Sequence, residues 1–444
     1  MADQSRYRIT AVLNGVDVPV IRFTLQESLS EPFIGQLDIY DTGFTQKPIS
    51  IDKMLDGHVV ITLWDDDKPL RYVHGAVHAI KAGAVGTRRR YFSVTVVPDT
   101  YALKLTTDCR IFQNLTVDQI ILKLFKEHGV LFHNFALKKP RENRAYCVQY
   151  EESVFDFIHR LLAEEGIFYY YEHTKDYHKL IFRDTVELTE KIDPLGYQTR
   201  SANKTEPCIW EVDYTEQRVT GMTTQRDRTF YNPDYTLEHT YHGLYLDNQR
   251  KGYKAYRYHG RYKKDEQGKP FTQYYQQQLQ NEQRVATFEH DYLHIKEGQR
   301  FTLQNHPEDA RNQQWITVNN SLTVEQPQAS HEEAQANFNS GGNIPIPTQY
   351  ASSFILQTQA IPYPQQFSPP AWPKPTIQGP QIADVVGPPG EEIFCDEYGR
   401  VAVKFPWDRY AKGDHTSSCW IRVAQNWAGA GWGHIAIPRV GHEV

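Results

Sequence analysis

The sequence predicts a mainly β protein with a few helices. Short segments in which apolar and polar residues alternate recur along most of the chain, and turn residues separate them. The 28 Tyr and 21 Phe, against only 3 Met, add a second indication, because aromatic side chains favour pleated, half-buried surfaces. With 444 residues the chain is longer than one hydrophobic core usually supports, so we expect two to four domains.

The first hundred residues predict a strand meander. Alternating apolar residues occupy 7–11, 18–23 and 35–39, and Asn14-Gly15 has the composition of a tight hairpin turn. Further strands are predicted at 59–64, 72–80 and 91–97, separated by Asp65-Asp66-Asp67 and by a turn at Gly83 to Gly86. So many short strands favour a closed or nearly closed barrel.

Two helices are predicted next. Thr116 and Gln119 form a capping-box pattern, and Gly129 can end a helix that we expect over 117–128. Ser153 is the predicted N-cap of a second helix over 154–165, with Gly166 just past its end. Residues 167–172 and 179–183 then predict a hairpin.

The middle of the chain gives weaker signals. Residues 210–262 are polar and tyrosine-rich, and the glutamine-rich segment 272–285 predicts a solvated helix. Strand alternation returns over 286–303 and 315–324. Residues 326–343 predict a loop, and the proline-rich segment 344–379 predicts an extended edge strand or linker.

The last sixty residues predict a small all-β barrel. Large apolar residues recur at every second position: Val401, Val403 and Phe405 alternate with Ala402 and Lys404, Ile421 and Val423 alternate with Arg422, and Ile435 and Ile437 alternate with Ala436. We expect Gly399 to supply a left-handed turn residue and 441–444 to form a final strand. That strand has no polar end, so we expect a natural continuation beyond Val444.

Several segments in this region stand in a fixed order: Gly-Pro-Pro-Gly (387–390), Asp-Glu-Tyr-Gly-Arg-Val (396–401), Ser-Cys-Trp-Ile-Arg-Val (418–423) and Gly-Ala-Gly-Trp-Gly (429–433). Together they resemble the gp5-like OB-fold domain of the VgrG spike proteins of type VI secretion. A second block, from Val148-Gln149-Tyr150 to His173, resembles the gp27-like hub domain of the same family.

The resemblance implies two hub β-barrels followed by an OB-fold barrel. We expect a first hub barrel over 1–100, a helix-containing hub region over 101–200, a second hub barrel with an extended linker over 201–375, and a truncated OB barrel over 380–444. It also implies a homotrimer seated on an Hcp-like tube hexamer, with baseplate contacts. A PAAR-type tip protein and effectors would bind through a region beyond residue 444, and the action would be mechanical puncture of a target membrane.

Composition limits the other function classes. A net charge of −6 disfavours a general nucleic-acid binder, and five cysteines without a Cys-x-x-Cys spacing favour reduced thiols. We expect no signal peptide and no membrane helix, hence synthesis in the cytoplasm and export by the secretion machine to the extracellular space or a target cell.

No catalytic, cofactor or metal site is predicted. The sequence has no nucleophile elbow, phosphate loop or metalloprotease motif. His290 and His294 are placed on one strand face about 13 Å apart, too far for one metal ion. Five residues remain as candidates for trimer contacts or barrel packing: Trp407, Trp420, Trp427, Trp432 and Arg439.

Two alternatives stay open at this point. One is a phage-type tail hub whose cell-wall hydrolase activity lies past Val444. The other is oligonucleotide binding by the OB barrel, for which an aromatic and basic surface is available. Its residues would be Arg400, Lys404, Trp407, Arg409, Trp420 and Arg422.

Overall fold

A computed structural model describes residues 7–41, 49–85, 89–199, 206–250, 252–326 and 353–444. The chain divides into two compact units. The first lies within Met1–Tyr101, Val130–Lys139 and Leu162–Ala371, and the second within Ala102–Gly129, Pro140–Leu161 and Trp372–Val444. The predicted four-domain division stays a prediction.

The first fourteen strands follow the chain to residue 196. They are β1 Tyr7–Leu13, β2 Val16–Val18, β3 Val20–Ser28, β4 Ile34–Asp41, β5 His58–Asp65, β6 Lys68–Val85, β7 Arg90–Val97, β8 Thr107–Phe112, β9 His133–Phe135, β10 Cys147–Ser153, β11 Phe168–His173, β12 His178–Arg183, β13 Glu190–Lys191 and β14 Leu195–Gly196.

The remaining strands and the three α-helices complete the described chain. The strands are β15 Ile209–Glu216, β16 Met222–Asp227, β17 Leu237–His242, β18 Lys254–Tyr258, β19 Arg284–His290, β20 Gln299–Gln304, β21 Gln314–Glu325, β22 Ser353–Pro362, β23 Asp384–Val386, β24 Arg400–Lys404, β25 Ile421–Arg422, β26 Ala428–Gly429 and β27 Trp432–Gly433. The helices are α1 Val117–Glu127, α2 Val154–Glu165 and α3 Asp265–Gln278. The predicted fold class, mainly β with a few helices, is confirmed.

One sheet of fourteen strands dominates the first unit. Its main path runs β15-β19-β22-β21-β3-β4-β7-β6-β5-β1-β2, and β20 joins it at β21 together with β13 and β14. Strands from both predicted hub barrels therefore belong to one continuous sheet, while β16, β17 and β18 form a separate three-stranded sheet. The strands of the two predicted barrels meet where β3 pairs antiparallel with β21, from Ser28 opposite Asn319 to Arg22 opposite Glu325.

The meander of the first hundred residues follows its local signals. Leu13 pairs with Val16, and both turn residues have positive φ, 48° at Asn14 and 77° at Gly15. Such a turn matches the twist of the flanking strands, which explains the Asn-Gly pair. The turn predicted at Gly83 to Gly86 lies partly outside the described residues, since β6 reaches Val85.

Buried apolar side chains hold the second half of this sheet together. One cluster contains Ile209, Phe288, Phe301 and Trp315, all at most 1% exposed, and a second contains Phe168, Ile181 and Ile316. Residues from β11 and β12 thus pack into the same core as β21. The three-stranded sheet β11-β12-β9 is thereby anchored on the main sheet.

The second unit contains the predicted helix α1 and the start of α2. The Thr116 hydroxyl accepts from the Gln119 backbone N–H and the Gln119 side chain accepts from the Thr116 N–H, so the capping box is confirmed. The Ser153 hydroxyl caps α2 by accepting from the Asp156 N–H at 3.0 Å. Both helix starts agree with the sequence.

Helix α3 differs from its prediction. It begins at Asp265 and ends at Gln278, and the following residues, predicted helical to 285, turn and enter β19. The prediction of a solvated helix is also wrong, because Thr272, Tyr274 and Gln276 are buried. Gln276 donates to the Thr220 carbonyl and accepts from the Thr223 hydroxyl, both at 2.6 Å, which satisfies its amide in the interior.

The proline-rich segment also departs from expectation. Residues Ser353–Pro362 form β22, which pairs with β19 on one side and β21 on the other, so this segment is a central strand. Its proline, Pro362, stands at the last strand position, where a missing N–H costs least. The loop predicted over 326–343 lies almost wholly outside the described residues.

Gly166 and Gly129 form a matched pair for a test of packing at helix ends. Both have a left-handed backbone, but a Cβ at Gly166 would lie 2.6 Å from the Tyr274 ring, whereas a Cβ at Gly129 meets nothing within 4 Å. Gly129→Ala should lose about 1–2 kcal/mol of unfolding free energy from backbone strain alone. Gly166→Ala should lose about 2–5 kcal/mol, because overpacking adds to the strain.

Urea denaturation of each variant, followed in the unit that carries it, measures this difference. Equal losses would contradict the packing argument and would mean that the Tyr274 ring moves aside freely.

Candidate assembly surface

The OB region of the second unit has a small core. Strands β23, β24 and β25 form one sheet, and Ala383, Val385, Val401 and Val403 are buried beneath it. Gly399 has a φ of +66° in the turn before β24, as predicted for a left-handed turn residue. This core is too small to cover every aromatic side chain of the region.

Trp407 and Trp420 pack within the unit. The Trp407 ring stacks on Phe405 with centroids 5.0 Å apart and meets the Tyr150 ring edge-on at 5.4 Å. Its indole N–H donates to the Gln381 side chain at 3.1 Å. Trp420 lies 5.0 Å from Phe394. Both indoles are half-buried, which places them in intramolecular packing.

Trp427 and Trp432 lie in a small hairpin that is open to solvent. Strands β26 and β27 pair Ala428 with Gly433 and Gly429 with Trp432, and the two indoles are 5.4 Å apart. Their exposed fractions are 67% and 57%. Two large apolar side chains that stay uncovered on one hairpin are unusual for a soluble surface.

The glycines of this hairpin have a geometric cause. A Cβ at Gly429 would lie 2.3 Å from the Trp432 ring, and a Cβ at Gly433 would lie 2.6 Å from the Trp427 carbonyl oxygen. Gly433 also has a φ of +134°. The glycines thus let Trp432 lie directly over the backbone, so the hairpin presents aromatic surface with little side-chain freedom to lose on binding.

Ile435, two residues after β27, is a third exposed apolar side chain, and sequence reasoning did not identify it as a surface residue. It is 80% exposed, whereas the alternation of Ile435 and Ile437 predicted a half-buried strand. The described residues after β27 form no strand there, so that prediction is wrong. The final strand predicted over 441–444 is absent as a regular strand too, although Val444 exchanges two backbone hydrogen bonds with Ala383.

Arg439 pairs with Glu392 at 3.0 Å, and both side chains are largely exposed. A surface ion pair of this kind contributes about 0–1 kcal/mol. Arg439 is therefore no packing anchor within this chain. Its position at the surface leaves it accessible to another chain.

Two of the four basic residues considered for oligonucleotide binding, Arg400 and Arg409, form ion pairs with carboxylates. Arg400 binds Asp396 at 2.5 Å and Arg409 binds Asp108 at 3.0 Å. Trp407, a further member of the surface considered for oligonucleotides, is occupied by Phe405 and Tyr150. A groove for a polyanion needs uncompensated positive charge. This arrangement therefore gives no support to oligonucleotide binding.

The histidines considered for a metal have another role. β19 ends at His290, so His294 lies beyond the strand and the prediction of a shared strand face is wrong. The His290 ring accepts from the Tyr292 N–H and bonds the Thr358 hydroxyl at 2.8 Å. Within the described ranges, no group of three or more His, Cys, Asp or Glu side chains could hold a metal ion.

None of the helices in the described residues is long and apolar enough to cross a membrane.

Comparison with protein families assigns both parts of the chain. A family described as phage tail baseplate hub (GPD) matches residues 26–328, and a second, described as type VI secretion system/phage-baseplate injector OB domain, matches residues 395–444. The fold and these matches define a hub protein of a contractile injection machine. The chain belongs to the phage tail baseplate hub family, and within it to the VgrG spike proteins of type VI secretion systems.

Two relatives show the extent of the similarity. The type VI secretion system spike protein VgrG2b of Pseudomonas aeruginosa is 37% identical over 96% of this chain and 41% of its own length. The actin cross-linking toxin VgrG1 of Vibrio cholerae is 38% identical over 94% of this chain and 38% of its own length. The chain thus spans about two fifths of the length of these relatives.

A solved structure shows the same fold. An Escherichia coli component of the type VI secretion system, described as structurally similar to the T4 bacteriophage tail proteins gp27 and gp5, superposes with a TM-score of 0.67. The sequences are 18% identical, and the match covers 92% of each chain.

Trp407→Ala and Trp427→Ala should separate packing from surface exposure. Trp407→Ala removes the contacts of the indole with Phe405 and Tyr150, and the Gln381 side-chain oxygen loses the indole N–H as its donor. We therefore expect a loss of about 1–3 kcal/mol of unfolding free energy. Trp427→Ala should stay within about 0.5 kcal/mol of the parent chain, because its indole is mostly in solvent. The measurement is urea denaturation of the dissociated chain at low concentration.

A large loss in Trp427→Ala would show that this indole packs within its own chain, and would remove it from the candidate surface.

Proposed function

We propose that this chain forms the hub and OB-fold part of a homotrimeric spike in a type VI secretion machine. The observation that carries the proposal is the glycine-rich hairpin with two exposed indoles, together with Ile435, in a chain of the VgrG family. Tryptophan is the residue type most enriched among binding hot spots, and a rigid aromatic surface binds at low entropic cost. A second and third copy of the same chain are the occupants we assign to this surface.

The proposed partners are those that the resemblance to the VgrG family implies. The hub part would rest on an Hcp-like tube hexamer and contact baseplate components, and the OB part would point toward a PAAR-type tip protein. Effectors would bind through a region beyond residue 444. The relative named as an actin cross-linking toxin supports the idea that family members carry effector activity, which we place outside the residues of this chain.

The proposed action is mechanical. Contraction of a sheath would drive the tube and spike through a target membrane, so the chain would leave the cytoplasm with the machine. The pairing of β3 with β21 supports this role, because it joins the strands before residue 100 to those around β21 in one fourteen-stranded sheet that resists separation of its halves. One named relative is a type VI secretion spike protein and the other is an actin cross-linking toxin. These names favour a role in protein secretion over the alternative of a phage tail hub with cell-wall hydrolase activity.

Assembly can be tested by the mass in solution. Light scattering coupled to size exclusion should give about 155 kDa for the parent chain, three times its 51.6 kDa. The double variant Trp427→Ala/Trp432→Ala should shift toward 51.6 kDa, since it removes the aromatic anchors of the contact.

Tyr256 and Tyr258 supply a matched control. They are 62% and 53% exposed, close to the two indoles, but lie on β18 of the other unit. Tyr256→Ala/Tyr258→Ala should keep the trimer mass. A monomeric parent chain, or a trimer that survives loss of both indoles, would contradict the proposal.

A further inference from the structure

A cluster of histidines in the first unit lies where three elements meet. His74 is on β6 of the main sheet, His173 ends β11 and His178 begins β12. The side chains of His173 and His178 are 3% and 5% exposed, and His74 is buried as well. The Phe33 ring contacts both His173 and His178 edge-on. Nothing in the proposed spike function requires these histidines.

Imidazole nitrogens take part in each hydrogen bond of this cluster. The Asp99 backbone N–H donates to Nε2 of His178 at 3.1 Å, and the His74 backbone N–H donates to Nδ1 of His173 at 3.1 Å. Nδ1 of His74 and Nδ1 of His178 lie 3.1 Å apart. Because Nε2 of His178 accepts, its proton is on Nδ1 and is donated to His74.

Each ring therefore contributes one lone pair to the network. A proton added to the accepting nitrogen of His74 or of His178 would place an N–H against an N–H and would break that bond, whereas Nδ1 of His173, once protonated, can donate to the His74 carbonyl oxygen 3.2 Å away. The bonds between His74 and His178 and between Asp99 and His178 therefore require neutral imidazoles. These bonds tie β6 and the segment around Asp99 to the hairpin of β11 and β12.

We propose that the three imidazoles form a proton-sensitive joint: neutral, they tie the main sheet to the β11-β12 hairpin, and protonation releases that tie and loosens the hub. This behaviour is separate from trimer assembly, because every residue involved lies in the first unit. The hub would be rigid near neutral pH and would loosen in an acidified compartment.

The surrounding charges decide how the joint titrates. Burial lowers the pKa of His74 and of His178 from 6.5 to about 4, and it lowers the pKa of His173 well below its ordinary value. Groups facing the three rings come from every neighbouring element: Glu27 on β3, His58 on β5, Arg71 on β6, Asp99 before β8, Tyr171 on β11, Asp176 in the β11-β12 turn, and Lys296 and Glu297 after β19.

The direction of the pH effect follows from these values. The unfolded chain takes up protons below pH 6.5, whereas folded His74 and His178 resist them down to about pH 4. Their contribution to stability is full above pH 6.5 and is lost as the pH falls toward 4. Between pH 7.5 and pH 5 each of these two histidines should raise the unfolding equilibrium constant by about 30-fold.

Glu297 acts in the opposite direction. Burial, and then the charge of Glu27, raises its pKa to about 8, so its protonation favours the folded chain as the pH falls from 8 toward 4.5. The overall stability of the parent chain therefore mixes two opposing effects. A comparison of variants that all keep Glu297 isolates the histidines.

His178→Gln provides that comparison. The Gln side-chain oxygen can accept from the Asp99 N–H in place of Nε2, but it does not titrate in this range. Between pH 7.5 and pH 5 the unfolding equilibrium constant changes by some factor in the parent chain. In this variant that factor should be about 30 times smaller, because one titrating histidine is gone. His173→Asn, whose amide oxygen replaces Nδ1, is the second variant. Exposed His434 in the other unit supplies the control, and His434→Gln should keep the parental pH dependence.

Hydrogen exchange on the parent chain tests the joint without any substitution. Between pH 7.5 and pH 5, after correction for intrinsic exchange, the amides of Asp99 and His74 should lose more protection than the core amides of β21. Unchanged protection at Asp99 and His74 would overturn the proposal. So would a His178→Gln chain that folds and keeps the full parental pH dependence.

Discussion

The pairing of β3 with β21 is the constraint on which the larger unit depends. These strands are almost three hundred residues apart in sequence, yet seven residue pairs from Ser28–Asn319 to Arg22–Glu325 join them. Without this ladder, the strands before residue 100 and those after 209 would form two sheets with two exposed edges. Unpaired edges invite association with other chains. The ladder removes two of these edges and makes both halves of the hub one hydrogen-bonded body.

The sequence correctly predicted the turns and helix caps that depend only on residues close together in the chain. The Asn14-Gly15 hairpin, the capping box of Thr116 and the Ser153 cap all act within four residues, so the sequence alone defines them. The segment that contains the central strand β22 was predicted to be an extended edge strand or linker, because its strand partners Phe288 and Leu322 are distant in sequence and its neighbourhood is rich in proline. Helix α3 was misplaced for a related reason, since tertiary contacts bury its polar glutamines.

The candidate surface was predictable only in part. The sequence singled out Trp427 and Trp432 as candidate contacts, and the structure places both in one hairpin, where Trp432 closely approaches Gly429. Which indoles are exposed depends on tertiary contacts, since Trp407 is covered by Phe405 and Tyr150. The histidine joint had no sequence signal at all. His74 and His178 are 104 residues apart, and only the packing of β6 against the β11-β12 hairpin brings them together.

The account's central claim is that three copies of this chain bury the Trp427–Trp432 hairpin between them. The most direct measurement is a cryo-electron microscopy reconstruction of the assembled chain without imposed symmetry. The account predicts a threefold particle in which density from a neighbouring chain covers both indoles and Ile435. A threefold particle with this hairpin in open solvent, or a particle without threefold symmetry, would contradict it.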